Sequence, residues 1–138
     1  MFLIVLWILV SIWIFYTDIF FRVISNIQII FIGLLITFSF FIYDFDFNLW
    51  TAFIVFFVGV FVWRFGILGA GDVKLISTLI FIMPYDAISL FLFLISIIGA
   101  MIAIFIYICA KFKKIEKSVP YGVAIMSSFL LLFLPLIN

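Results

Sequence analysis

The chain has 138 residues, of which 71% are hydrophobic and only 9% charged, with a formal net charge of +1. Soluble domains carry about a quarter of their residues as charges, so a soluble fold of this size would expose a large apolar area. An integral membrane protein is the expectation. The absence of histidine excludes an H-E-x-x-H zinc protease, a Ser-His dyad and a Cys-His pair. The single cysteine, Cys109, leaves no disulfide framework and no C-x-x-C metal site. Proton transfer therefore falls to Asp, Glu, Lys, Tyr or water, and neither a metal nor a cofactor is expected. No alternating strand pattern argues for an outer-membrane barrel.

Met1 to Thr17 is apolar, with no basic residue before it and no small-residue cleavage site after it, so it reads as a first transmembrane helix rather than a signal peptide. This helix runs on into Asp18 and Arg22 and stops at Ser25-Asn26, which supplies an N-cap for the next. Ile27 to Tyr43 is the second span, and residues 44–48 form a short polar loop. Leu49 to Trp63 is the third span, followed by Arg64 and the stretch Gly66-Ile67-Leu68-Gly69-Ala70-Gly71-Asp72-Val73-Lys74. Val73 to Met83 makes a short fourth helix, ending at Pro84-Tyr85-Asp86. Ala87 to Ala110 is a long fifth span, and Lys111 to Ser118 is the longest polar segment. Val119 to Ile137 is the sixth span, with Pro120 suited to its first turn. The reading is one domain over residues 1–138, an all-α membrane protein of six transmembrane helices.

Six spans alternate the loops between two sides of the membrane. Arg22, Arg64, Lys74, Lys111, Lys113, Lys114 and Lys117 then share one side, and Asp44, Asp46 and Asp86 the other. By the positive-inside rule the basic side is cytoplasmic, so both termini are expected outside and the glycine stretch at the cytoplasmic face.

Asp18 closes helix 1 and Asp72 opens helix 4, both toward that face. A carboxylate at a helix centre costs roughly 2.5–3.5 kcal/mol on insertion scales, which makes intramembrane acids functional candidates. Position alone allows a plainer account, two solvated helix ends at the headgroup boundary. Helix 4 favours the functional one. Eleven residues span about 16 Å, against about 30 Å of hydrocarbon. With its far end at the outer surface, Asp72 lies below the inner one, reached by irregular glycine-rich backbone that only protein or a water-filled cavity can satisfy. Two carboxylates sharing such a cavity titrate as a unit. One can activate water while the other protonates the carbonyl or the leaving amine, as in aspartic proteases. Gly69 and Gly71 lack a Cβ and let a substrate strand or a helix approach closely.

These residues resemble a known family. Gly69-Ala70-Gly71-Asp72-Val73-Lys74-Leu75 is similar to the G-x-G-D-x-K-L signature of type IV prepilin peptidases. Asp18 through Arg22, Ile24 and Asn26 resembles that family's D-x-x-x-R-x-I-P-N motif, with Ser25 where the family often has proline. Val119-Pro120-Tyr121-Gly122-Val123-Ala124 looks like its last-helix motif. The resemblance implies an intramembrane aspartyl protease of the bacterial cytoplasmic membrane that cuts short basic leaders from pilin or pseudopilin precursors. Asp18 and Asp72 match its two catalytic aspartates. The loop after helix 1 is short and without cysteine, unlike the zinc-binding module of the large, methylating members. The compact peptidases of tight-adherence (Flp) pili are thus the closer likeness, and archaeal preflagellin peptidases share the motifs.

Around this pair several residues are candidates for support. Arg22 follows Asp18 by four, so on a continuing helix it shares a face with it and either pairs with it or binds lipid phosphate. Lys74 serves beside the dyad or as a snorkelling anchor. Pro120, Tyr121 and Gly122 place a hydroxyl and a close-packing backbone near the site, or Tyr121 is an ordinary interfacial aromatic. Lys111 to Lys117 is a topogenic anchor to anionic lipid, Gly99 and Ala103 a small-residue helix contact, and Cys109 inert. Membrane lipid is an expected partner and nucleic acid is not. Two other classes stay open on the residues alone: a proton- or ion-conducting subunit with the aspartates as relays, and a non-catalytic assembly subunit.

Overall fold

Helices in this chain are set by unbroken apolar runs, and their ends by a few residues that cannot continue them. The computed structural model describes residues 2–43, 47–112 and 119–136, so Met1, the acids of 44–46, the lysine-rich 113–118 and the last two residues lie outside it. Among the described residues there are six α-helices: α1 (Phe2–Phe21), α2 (Asn26–Tyr43), α3 (Leu49–Arg64), α4 (Ala70–Ile80), α5 (Tyr85–Phe112) and α6 (Tyr121–Phe133). A 3₁₀ turn, Leu134–Leu136, extends α6.

Helix α1 stops at Phe21 because Arg22 adopts φ 54°, a left-handed conformation that costs an L side chain roughly 1–2 kcal/mol. Arg22 is therefore not on a continuing helix, as its spacing from Asp18 led us to expect. Its N–H still closes the helix on the Asp18 carbonyl at 3.2 Å. Ser25 caps α2: its hydroxyl accepts the Gln28 N–H at 3.3 Å, while Gln28 Oε1 accepts the Ser25 N–H at 2.8 Å. This reciprocal box satisfies two helix-end donors at once. Helix α3 ends through Gly66, at φ 71°, whose N–H reaches the Trp63 carbonyl at 2.8 Å.

Helices α1, α2, α4 and α6 pack in a ring, each against the next, with α3 laid on α4 and α5 on α6. A Cβ on Gly59 would stand 2.6 Å from Val73 Cγ1, which shows how closely α3 presses on α4. Helix α6 runs antiparallel to α1. At one end of the pair, buried Trp7 meets Phe129 and Phe133 at centroid separations of 4.8 and 5.4 Å. The Trp7 indole donates to Ser39 Oγ at 3.2 Å, tying α2 into the same knot. At the other end, Asp18 meets the start of α6.

Among the described residues, three helices are long and apolar enough to cross a membrane: Phe2–Phe21, Asn26–Tyr43 and Tyr85–Lys111. Helices α3 and α6 are shorter apolar segments, and α4 has 11 residues. The expectation of six spans therefore becomes six helices with three that meet the length of a span. Helix α4 also begins at Ala70 rather than Val73, which puts Asp72 inside its first turn instead of ahead of it.

Candidate active site

Helix starts carry N–H groups with no partner inside the helix, and they attract negative charge. Both candidate aspartates sit on such starts. Asp18, in the last turn of α1, is only 5% exposed, and its Oδ2 accepts the Val123 N–H at 3.3 Å, with the Gly122 N–H alongside. These donors belong to the first turn of α6, 105 residues away in sequence. A Cβ at position 122 would stand 2.9 Å from Asp18 Oδ2 and 3.1 Å from its Cγ. Glycine is what allows the carboxylate to lie on the helix end.

Asp72 solves the same problem within its own helix. Its Oδ2 folds back to accept the N–H of Gly69, which stands just before α4, at 3.1 Å. A Cβ on Gly69 would meet that oxygen at 2.8 Å. Gly71 serves a different contact: a Cβ there would come within 2.9 Å of Ile24 Cβ and 3.3 Å of the Ile24 carbonyl oxygen. Its absence lets α4 press against the α1–α2 turn. The glycines thus act by proximity, two against a carboxylate and one against the neighbouring turn.

The two carboxylates line one cavity of about 530 Å³, together with Arg22, Ile24, Tyr121 and the loop from Gly66 into α4. A separate cavity of about 430 Å³, between α2, α3 and α4, is lined by residues such as Ile36, Phe53 and Phe81 and by no acid or base. Of these two, the first alone carries groups that can move protons.

The remaining candidates divide. Tyr121 lines the cavity, and its ring also lies against Gly99, where a Cβ would stand 3.3 Å from Cε1. That contact bears out the small-residue packing expected at Gly99. Pro120 is buried at the head of α6. Lys74 does not turn to the carboxylates: its Nζ donates to Asn26 Oδ1 at 2.9 Å, a tie between α4 and the start of α2. Arg22 lines the cavity but makes no salt bridge with Asp18, and its Nη1 is buried without a hydrogen-bond acceptor.

Sequence reasoning passed over Gln28. It is fully buried, and its Nε2 donates to Thr17 Oγ1 at 2.8 Å while Oε1 holds the Ser25 N–H. This cluster locks the turn between α1 and α2 and so fixes where Asp18 and Arg22 stand. The signal was present as Ser25 followed three residues later by glutamine, a capping-box spacing.

Two carboxylates from different helices, in a cavity large enough for water and a length of peptide, are equipped for general acid–base hydrolysis. In comparison with known proteins, the sequence model described as the type IV leader peptidase family matches residues 3–104, well over half of the chain. That segment contains both aspartates and excludes α6. No curated protein and no solved structure matches the chain. With both acids of its cavity inside the matched segment, the chain belongs to the type IV leader peptidase family, a group of aspartic endopeptidases.

Proposed function

We propose that this protein cleaves the short basic leader from prepilin-like precursors, with Asp18 and Asp72 as the catalytic dyad. Membership of the family implies prepilin leader cleavage. The assignment to these residues rests on one observation: the aspartates of α1 and α4 line the same cavity. In the reaction the ionised carboxylate takes a proton from water as its oxygen adds to the scissile carbonyl. The protonated carboxyl gives its proton to the carbonyl oxygen, forming a gem-diol. Breakdown returns a diol proton to one carboxylate while the other acid protonates the leaving amine, so the dyad ends with the single proton it began with.

The six helices act as six membrane segments, with both termini outside and the cavity toward the cytoplasm. Arg22, Arg64 and Lys74 near the cavity and Lys111 at the end of α5 support this orientation through the positive-inside rule. In a bacterial cytoplasmic membrane that places the cavity where a basic leader remains. The α1–α2 connection, residues 22–25, has no room for a metal-binding module, which supports the likeness to compact Flp-pilus peptidases and cleavage without methylation.

The deciding experiment reconstitutes the purified protein in liposomes with a prepilin precursor and sequences the N-terminus of the product. Asp18→Asn and Asp72→Asn are each expected to abolish cleavage while retaining helical circular dichroism. Cleavage by either variant at the wild-type rate would remove the dyad, and pH-driven ion flux without cleavage would replace the enzyme with a conductor.

A further inference from the structure

Arg22 stands in the wall of the cavity, and three features single it out. Its φ of 54° is the only positive φ at a non-glycine residue among the described residues, and glycine would adopt it without strain. The backbone therefore gives no reason for an arginine here. Its side chain lines the cavity that holds both aspartates, yet forms a salt bridge with neither. Its Nη1 is shielded from solvent and has no acceptor. A guanidinium is a planar fork of five N–H donors, and a buried donor left unpaired is costly.

We propose that Arg22 is a substrate-binding residue whose guanidinium takes a backbone carbonyl oxygen of the precursor segment laid across Asp18 and Asp72. This rests on the peptidase reading above. A chain entering a peptidase site must be extended, and its carbonyls then have no partners of their own. Arg22 offers donors at the place where those carbonyls arrive. Charge decides between a carbonyl and an acidic side chain. Two carboxylates sharing one proton, together with one guanidinium, leave the cavity neutral. A carbonyl keeps it so, whereas a third carboxylate would bring an unbalanced negative charge beside two acids. Turning the guanidinium toward the incoming oxygen also relieves the unpaired Nη1 of the free enzyme.

The test uses the full chain in liposomes and a synthetic peptide with a lysine-rich leader followed by an apolar segment. Single backbone C=O groups around the scissile bond are changed to C=S, a weaker acceptor. Arg22→Gly keeps the left-handed turn, so its thermal unfolding should match or exceed that of the wild type. Its KM should rise by about ten- to a hundredfold, the effect of losing a charge-assisted hydrogen bond, with kcat within about threefold. One C=S position should raise KM in the wild type and have no further effect in Arg22→Gly. Loss of kcat at unchanged KM would overturn the proposal in favour of an effect through Asp18. So would coupling of Arg22 to a Glu→Gln change in the peptide, or a KM effect that appears only with anionic lipid, since Arg22 would then hold a carboxylate or a headgroup phosphate. Cleavage by the wild type that Asp18→Asn abolishes keeps the peptidase reading whatever Arg22 does. A wild type that cleaves none of these peptides and no prepilin precursor overturns both.

Discussion

The contact most exposed to a single change is that between Gly122 and Asp18. In Gly122→Ala the new Cβ would lie 2.9 Å from Oδ2 and 3.1 Å from both Cγ of Asp18 and Cδ1 of Ile24. The carboxylate must retreat by a few tenths of an ångström. Its hydrogen bond from Val123 is already 3.3 Å long, and a retreat of that size takes it beyond hydrogen-bonding distance. Loss of a bond to a charged group costs about 1.5–3 kcal/mol. The displaced carboxylate no longer stands where it takes or gives its proton, and a comparable loss expressed in the transition state is roughly a 10- to 150-fold fall in kcat. Stability should fall by no more than about 2 kcal/mol, because alanine's advantage over glycine in a helix, up to about 1 kcal/mol, offsets part of the lost bond. Initial rates of precursor cleavage and thermal unfolding followed by tryptophan fluorescence separate the two effects. Gly99→Ala is the comparison, since its new contact at 3.3 Å moves the cavity-lining Tyr121 ring and leaves the Asp18 carboxylate in place. Wild-type cleavage by Gly122→Ala would refute the reasoning, and so would a loss of rate that follows only from a smaller folded fraction.

Gln28→Leu should lower stability and activity together, by about 1–3 kcal/mol in stability, because it strands the Ser25 N–H and frees the turn that carries Arg22. Chemical denaturation and cleavage rate on the same samples would check this. Trp7→Ala should cost about 3–5 kcal/mol of stability while the folded fraction cleaves normally, since the Trp7–Phe129–Phe133 knot is at the end of α1 and α6 away from Asp18. Gly33→Ala, where a Cβ meets nothing within 4 Å, should leave cleavage unchanged. A large effect there would mean that the cavity between α2, α3 and α4, which Gly33 lines, takes part in binding the substrate.

Much of the helical content was legible in the sequence because it follows from local chemistry. Apolar runs of span length can form little else in a membrane, and Ser25-Asn26, Gly66 and Pro84 interrupt them where the structure does. Both aspartates were legible for a related reason: a carboxylate within or beside a hydrocarbon run is expensive enough to stand out. What misled was the assumption that α1 continues to Arg22. Spacing by four carries two side chains to one face only while the helix lasts, and a single left-handed residue ends it. Lys74 was equally open, because a long flexible cation beside two acids and an asparagine has several partners that sequence cannot rank.

The sequence by itself determined a membrane-type, all-helical chain, two acids near helix ends, and the glycines beside them. It did so because composition, hydrophobic run length and backbone freedom are properties of neighbouring residues. Only the tertiary structure decided that the first turn of α6 holds Asp18, that Gly122 exists for that contact, and that Arg22 enters the cavity unpaired. Those facts depend on which helices pack side by side, and packing joins residues more than a hundred positions apart that no local pattern connects.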